Sequence, residues 1–369
     1  MDDKIIEITG LKKEHDSKFK LVIDNLYLER NKVLTLIGPN GSGKSTLIKM
    51  ICLLERSDEG NIIFNGENIT KGKVNEVKIR REMAAVFQEP GLFNTSVYNN
   101  LILGLKIRKI SVFSAKERLD YLIQNLKIGH LLNRDAKNLS GGEKQRVSIA
   151  RSLVLNSSLL LLDEPLSNID QQSREDLRED LFEVIKNSGK SIIYVTHDRE
   201  EAMMIADDIA VLNDGRLEQF GSKIEIFTKP FNEFVAKFVG IETLLEGIVD
   251  KNSRKVCTVR IGGNGNRAFT IGQAKPGSKV VLAIRPESVI LYNNNNNNNV
   301  TAQQASAMNF FKGRITEIRN SGVLKKVGVD CGFNLISFVT SDSVSRLKLG
   351  VGKEIFAGIK ASSIHMFKK

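Results

Sequence analysis

The segment that most constrains this chain is GPNGSGKS at residues 38–45, which directly follows the apolar residues 33–37. Gly38, Gly43, Lys44 and Ser45 match the spacing GxxxxGK[ST] of a phosphate-binding loop between a strand and a helix. In such a loop, backbone N–H groups and the lysine face phosphates, and the hydroxyl binds Mg²⁺. The pattern predicts a nucleoside triphosphate site built from Gly38, Pro39, Asn40, Gly41, Ser42, Gly43, Lys44, Ser45 and Thr46.

A second pattern places two carboxylates after an apolar strand. Residues 159–162 are four leucines, and Asp163 and Glu164 follow them. Because parallel α/β sheets bind ligands at the carboxyl ends of their strands, both acids are expected near the phosphates. Asp163 is expected to hold Mg²⁺ through its water shell, and Glu164 to polarise the water that attacks the γ-phosphate. The alternative interpretation is that both acids only cap the next helix.

Residues 139–145, LSGGEKQ, lie between these two elements. In this motif the chain resembles the ATP-binding subunits of ABC transporters, whose signature sequence it matches. Ser140, Gly141 and Gly142 are expected to open a helix, and helix N-termini favour anions. In the family this end meets the γ-phosphate held by a partner's phosphate loop. The resemblance therefore implies a head-to-tail homodimer that encloses two ATP molecules.

The same resemblance assigns roles to three more residues. Gln88, in VFQEP, corresponds to the glutamine that reaches Mg²⁺ and water and senses the membrane partner. Asp170, in LSNID, corresponds to the aspartate that communicates across the dimer, and His197, in YVTHD, to the switch histidine at the γ-phosphate. The family's adenine-stacking aromatic corresponds to either Phe19 or His15. The implied catalytic set is Glu164, His197 and Gln88, the metal set is Ser45, Gln88 and Asp163, and the cofactors are ATP and Mg²⁺.

The formal net charge of +11 is distributed unevenly along the 369 residues. Residues 1–245 carry 35 basic and 36 acidic side chains, whereas residues 246–369 carry 19 basic and 7 acidic ones. Apolar strands alternate with helical stretches before residue 240, and short strand-like runs follow it. We predict an α/β phosphate-loop NTPase domain at 1–240, with a helical subdomain at about 89–139. An all-β, OB-like domain is predicted at 241–369, with a linker in the Asn run 293–299.

The C-terminal region contains an internal similarity. Residues 277–288 align without gaps to residues 352–363, which indicates a duplication of small β units. AIRPES, at 283–288, resembles the transport-associated OB module of ABC import ATPases, and SAMNFFKGRI, from Ser306, resembles the mop-type domain that binds molybdate or tungstate. The second resemblance implicates Ser306, Ala307, Asn309, Lys360, Ala361 and Ser362 in oxyanion binding. The alternative is a dimerisation and scaffold module that binds no ligand.

Together the resemblances predict the ATP-hydrolysing subunit of a tungstate or molybdate importer, with sulfate, ferric iron or sugar import as alternatives. The implied partners are integral-membrane permease subunits, an extracytoplasmic solute-binding protein and a regulatory oxyanion. No apolar run approaches the roughly 18–20 residues that cross a bilayer. The resemblance implies a peripheral location at the cytoplasmic face of the membrane.

Two rival functions come from other classes. A soluble ABC-type ATPase could act on nucleic acid through the basic C-terminal region. That region lacks the interleaved aromatic residues of a single-strand-binding face, so no nucleic-acid partner is expected. A cytosolic oxyanion buffer is the other rival, and it would leave the hydrolytic residues without a purpose.

Overall fold

The computed structural model describes residues 3–15, 19–72, 74–167, 169–253, 255–262, 265–293 and 309–369. The chain forms two compact units, Met1–Lys223 and Ile224–Lys369. The division precedes the boundary expected near residue 240, because residues 224–239 are held by the β-rich part. Arg285 donates a hydrogen bond to the carbonyl oxygen of Phe227, and His365 Nε2 lies 3.0 Å from that of Pro230.

The first unit is built on one sheet. Its strands are β1 (Lys4–His15), β2 (Phe19–Glu29), β3 (Val33–Ile37), β4 (Glu59–Phe64), β5 (Glu67–Asn68), β6 (Met83–Val86), β7 (Leu159–Asp163), β8 (Ser191–Thr196), β9 (Asp208–Asn213) and β10 (Arg216–Ser222). They lie in the order β5-β4-β1-β2-β10-β9-β3-β8-β7-β6. Neighbours from β9 to β6 are parallel, whereas β1 pairs with β2 and β4 antiparallel. The predicted α/β class is confirmed, with an antiparallel extension of the sheet.

Helices cover both faces of this sheet. They are α1 (Lys44–Ile51), α2 (Glu76–Arg81), α3 (Val97–Ile107), α4 (Lys116–Asn125), α5 (Gly141–Leu153), α6 (Gln171–Asn187) and α7 (Arg199–Ile205). The four leucines of β7 alternate between two hydrophobic cores: Leu159 and Leu161 pack with α1, Leu160 and Leu162 with α3 to α6. A strand buried on both faces must be apolar throughout, which explains its sequence. The segment expected as a helical subdomain contains α3 and α4.

The second unit contains two sheets of the same design. Its elements are α8 (Lys223–Thr228), α9 (Glu233–Phe238), β11 (Thr243–Ser253), β12 (Val256–Ile261), β13 (Asn266–Ile271), β14 (Lys279–Ile284), β15 (Ile290–Tyr292), β16 (Asn309–Ser321), β17 (Leu324–Asp330), β18 (Asn334–Val339), α10 (Ser341–Arg346), β19 (Glu354–Ile359) and β20 (Ile364–Lys368). The sheet orders are β13-β12-β11-β14-β20 and β18-β17-β16-β19-β15. Each half therefore gives its last strand to the other half's sheet. The all-β fold and its duplication are as predicted, whereas the strand exchange was not.

Buried hydroxyl groups join the two halves in matching positions. Thr270 Oγ1, in β13, donates to the carbonyl oxygen of Ile364 in the second half, over 2.7 Å. Ser337 Oγ, in β18, donates to the carbonyl oxygen of Val289 in the first half, also over 2.7 Å. Both side chains are fully buried. An unpaired buried carbonyl is costly, so these two bonds should stabilise the exchanged arrangement.

We expect Thr270→Val and Ser337→Ala each to lower the free energy of unfolding of the second unit by about 0.5–1.5 kcal/mol, because each removes a buried hydrogen bond between the two halves. Scanning calorimetry of the full chain would measure the change. Ser345→Ala is the control, since the Ser345 hydroxyl bonds Ser341 O on an exposed helix. Equal stability of all three variants and the parent would contradict the prediction.

Within the described residues, no helix has the length and apolar character needed to cross a bilayer.

Candidate functional site

The phosphate loop connects β3 to α1, as its sequence predicted. Gly38 has a φ of 153°, and a Cβ placed there would lie 2.1 Å from the carbonyl oxygen of Leu212 in β9. Gly43 adopts the left-handed conformation, with a φ of 100°, at the start of α1. Glycine is required at both positions, by close packing at the first and by backbone conformation at the second.

Lys44 lies inside the loop that precedes it. Its ammonium donates hydrogen bonds to the carbonyl oxygens of Gly38 and Pro39, each over 2.9 Å. The side chain is buried, and this burial lowers its pKa, while the nearby carboxylates of Glu164 and Asp163 oppose the shift. The loop thus holds a cation at its centre, where an anionic phosphate would find it.

One cavity of 440 Å³ collects residues from three separate parts of the chain. It is lined by Asn40, Gly41, Gly43, Lys44, Ser45, Thr46, Gln88 and Glu164. Gln88 enters from the loop after β6, and Glu164 from the end of β7. Strands β6 and β7 are parallel neighbours, so their carboxyl ends meet at one edge of the sheet. Six of the predicted loop residues thereby share a cavity with Gln88 and Glu164.

The two predicted carboxylates differ in environment. Asp163 is buried at the end of β7, and burial raises its pKa, with a hydrogen bond from Ser45 opposing the rise. Its Oδ1 has no hydrogen-bond partner among the described residues. Glu164 has a positive φ of 48°, and its backbone N–H donates to Val195 O over 3.0 Å. Strand β8 therefore holds Glu164 in a conformation that non-glycine residues rarely adopt.

His197 follows directly on β8 and lies beside Glu164. The distance from His197 Nδ1 to Glu164 Oε2 is 3.5 Å, and the imidazole is half exposed. Strands β7 and β8 are parallel neighbours, which places both residues at the same edge of the sheet. The structure thus brings together Glu164 and His197, to which the sequence assigned catalytic roles separately.

The LSGGEKQ segment forms the N-terminus of α5. Ser140 Oγ accepts from Glu143 N over 3.3 Å, and Glu143 Oε2 accepts from Ser140 N over 2.7 Å, which is a reciprocal cap. Gly141 and Gly142 occupy the first turn, whose N–H groups have no partner within the helix. Asp170 caps α6 in turn by accepting from Ser173 N over 3.0 Å. The residues Ser140, Gly141, Gly142 and Asp170 are not among those that line the phosphate cavity.

The structure brings only some of the residues predicted to bind an oxyanion close together. Ser306 and Ala307 lie outside the described residues. Asn309 is buried; its amide donates to Phe269 O over 2.9 Å and to Ile359 O over 3.2 Å. Both amide protons are thereby used within the fold, which favours a structural role for this residue. The remaining three, Lys360, Ala361 and Ser362, adjoin each other at the turn before β20, where Lys360 and Ser362 are exposed.

Comparison with known proteins identifies the family. The family model described as ABC transporter matches residues 22–167, and the model of the TOBE domain matches residues 305–366. The molybdate/tungstate import ATP-binding protein WtpC of Pyrococcus horikoshii is 33% identical over 365 residues, which span 98% of this chain and 100% of that protein. The chain belongs to the ABC transporter family.

Two further similarities extend this assignment. The spermidine/putrescine import ATP-binding protein PotA of Desulfitobacterium hafniense is 31% identical over 372 residues, covering 100% of this chain and 99% of that protein. A dimeric structure of a post-hydrolysis state of an ATP-binding cassette, bound to ADP and Pi, is 26% identical. It has a TM-score of 0.52 and covers 59% of this chain and 98% of that chain. The predicted family resemblance is confirmed, and with it the binding of ATP.

The cavity of this ABC ATPase also suits Mg²⁺. The ion prefers oxygen ligands, and the unpartnered buried Oδ1 of Asp163 is such an atom. Ser45 and Gln88, which line the cavity, add a hydroxyl and an amide oxygen, and Asp163, which does not line it, is hydrogen-bonded to Ser45. The oxygen atoms of the residues that the sequence assigned to the metal therefore suit Mg²⁺ by their chemistry.

The candidate residues for adenine stacking, Phe19 and His15, have side chains outside the described part of the structure. One buried group near the site escaped sequence reasoning altogether. Glu201, in α7, is 2% exposed and accepts hydrogen bonds from Tyr194 and Thr196. Nothing in the sequence marked Glu201, because its burial and its arginine partner depend on the contact between α6 and α7.

Proposed function

We propose that this ABC ATPase hydrolyses Mg²⁺-ATP to drive import of molybdate or tungstate. The observation that carries the hydrolytic part is the convergence of Lys44, Gln88 and Glu164 on one cavity, with His197 3.5 Å from Glu164. Each group arrives from a different loop, so their meeting depends on the order of the strands. The full-length similarity to the Pyrococcus protein supports the import part.

In this proposal each residue of the nucleotide site has one task. The phosphate loop binds the β- and γ-phosphates through its backbone N–H groups, and Lys44 supplies the positive charge. Ser45, Asp163 and Gln88 would hold Mg²⁺, which neutralises charge on the phosphates when bound. Glu164 accepts a proton from the attacking water, and His197 contacts the γ-phosphate. The burial of Asp163 and the fixed backbone of Glu164 support this division of labour.

We further propose that the working unit is a head-to-tail homodimer. The LSGG residues do not line the cavity of their own chain, yet they present an exposed helix N-terminus, which favours anions. A second copy can bring that helix end to the γ-phosphate. The dimeric neighbour with ADP and Pi supports a dimer as the working unit. Asp170, exposed at the start of α6, would then communicate across the interface.

The proposed partners are integral-membrane permease subunits and, through them, an extracytoplasmic solute-binding protein. The chain would act peripherally at the cytoplasmic face of the membrane. An import ATPase supplies energy by changing shape, so it needs a separate subunit that carries the substrate. The import functions in the names of its full-length relatives support these partners.

The substrate has two candidates, since full-length relatives are named for oxyanion and for polyamine import. The net charge of the C-terminal region distinguishes between these two candidate substrates. Residues 246–369 carry 19 basic and 7 acidic side chains. A positive potential attracts an oxyanion and repels a polyamine cation. We therefore favour molybdate or tungstate over spermidine or putrescine as the ligand that this subunit would sense.

Measuring uptake in cells from which this chain has been deleted would test the substrate. Wild-type chain supplied on a plasmid should restore accumulation of molybdenum or tungsten, measured by mass spectrometry, to several times the level reached with Glu164→Gln. Spermidine uptake should be the same with both chains. Restoration of spermidine uptake alone would replace the oxyanion proposal with the polyamine one. Restoration of neither would overturn import of both classes.

A further inference from the structure

A buried carboxylate lies behind the loop that carries His197. Glu201 lies in α7, and its side chain is only 2% exposed. Both of its carboxylate oxygens accept hydrogen bonds. Oε2 accepts from the hydroxyl groups of Tyr194, over 3.0 Å, and Thr196, over 2.7 Å. Oε1 accepts from Arg174 Nη2 over 2.6 Å. The carboxylate therefore joins the end of β8 to α6.

The same arginine reaches the other side of the loop. Arg174 Nη2 also donates to Asp198 Oδ2 over 2.8 Å. Asp198 N donates to Thr196 Oγ1 over 3.0 Å. Thr196 and Asp198 are the chain neighbours of His197, so both ends of the histidine's backbone are attached to one cluster. We call Arg174, Tyr194, Thr196, Asp198 and Glu201 the anchor cluster.

The anchor cluster continues to the start of α6. Arg174 lies in the first turn of this helix, and its backbone N–H donates to the carbonyl oxygen of Asp170 over 2.9 Å. A buried ion pair is usually a poorer source of stability than apolar packing of the same volume. A fully paired ion pair that joins two functional segments therefore indicates that its role is to hold these segments in position relative to each other.

We propose that Glu201 is a positioning residue that makes α6 and the His197 loop move as one body. In the dimer, a displacement at Asp170 would reach His197 through Arg174 and Glu201. This inference rests on the roles given to Asp170 and His197 in the proposed function. Glu201 is not among the residues that line the nucleotide cavity, so it acts on hydrolysis only through the histidine loop.

The test compares kcat with ATP affinity in the full-length protein. Glu201→Gln and Arg174→Gln each remove the ionic link, and each is expected to lower kcat about 10- to 100-fold, the worth of a charge-assisted hydrogen bond. The Kd for ATP, measured by fluorescence of a labelled analogue, should change less than threefold. Arg174→Lys should retain more turnover than Arg174→Gln, because an ammonium can still lie between the two carboxylates.

The matched control is Glu200→Gln, the same change one residue earlier. Glu200 is 81% exposed and lies 3.8 Å from Arg178, an ion pair between the same two helices. Its kcat should equal that of the parent. A purely structural role for Glu201 would instead lower the melting temperature and weaken ATP binding in proportion to kcat, which would overturn the proposal. If Glu201→Gln does not fold, the Arg174→Gln variant tests the proposal instead, because Arg174 is only half-buried.

His197→Ala separates this inference from the proposed function. If that variant turns over ATP normally, the role of His197 fails, and the positioning proposal fails with it. If His197→Ala loses turnover while Glu201→Gln and Arg174→Gln retain it, only the positioning proposal fails. Loss of turnover in all three, with ATP affinity preserved, supports both.

Discussion

Replacing Glu164 with Gln is expected to lower kcat for ATP hydrolysis about 10²- to 10⁴-fold, the usual contribution of a general base. The amide keeps the size of the carboxylate but cannot accept the proton of the attacking water. ATP affinity should stay within about twofold of the parent, because the phosphate loop and Lys44 are untouched. Steady-state hydrolysis and equilibrium ATP binding, measured on the same full-length preparation, would give both numbers.

Glu179→Gln is a suitable control, because Glu179 is an exposed residue of α6 that does not line the cavity. Its turnover should match the parent. Near-normal turnover by Glu164→Gln would remove Glu164 from the role of base. His197, 3.5 Å away, would then be the next group to examine for that proton.

A second large effect is expected for Lys44→Met. Methionine keeps the apolar stem of the buried side chain but removes the ammonium. Hydrogen bonds to charged groups contribute about 1.5–3 kcal/mol each, so ATP affinity should fall about 10- to 100-fold or more. The two loop carbonyls that Lys44 now pairs, those of Gly38 and Pro39, would also lose their donor. Titration with a fluorescent ATP analogue would measure the loss.

Lys49→Met controls for the change in net charge, because Lys49 is an exposed residue in the last turn of the same helix. Its ATP affinity should change less than twofold. An unchanged affinity in Lys44→Met would mean that the backbone N–H groups of the loop hold the phosphates without the lysine. That result would contradict the proposed role of Lys44 in binding the phosphates of ATP.

The parts of the site that the sequence predicted are formed by residues that are contiguous in the chain. GPNGSGKS directly follows β3 and contains its own turn glycines and helix start, so residues 38–46 form the expected loop. The four leucines before Asp163 and Glu164 likewise predicted an apolar strand, and β7 is one, buried on both faces. Local backbone preferences and short periodicities decide such elements, and both can be read from a single chain.

The tertiary structure decided what depends on distant pairing. The exchange of β15 and β20 between the two β sheets, the anchoring of residues 224–239 by Arg285 and His365, and the use of the Asn309 amide within the fold all join segments far apart in sequence. Strand register and partner choice follow from the summed packing of whole faces, which no short motif records. The same holds for Glu201, since its burial and its arginine become visible only when α6 and α7 meet. The sequence by itself therefore determined the ATPase family and its loop, and the tertiary structure decided how the halves interlock and what holds His197.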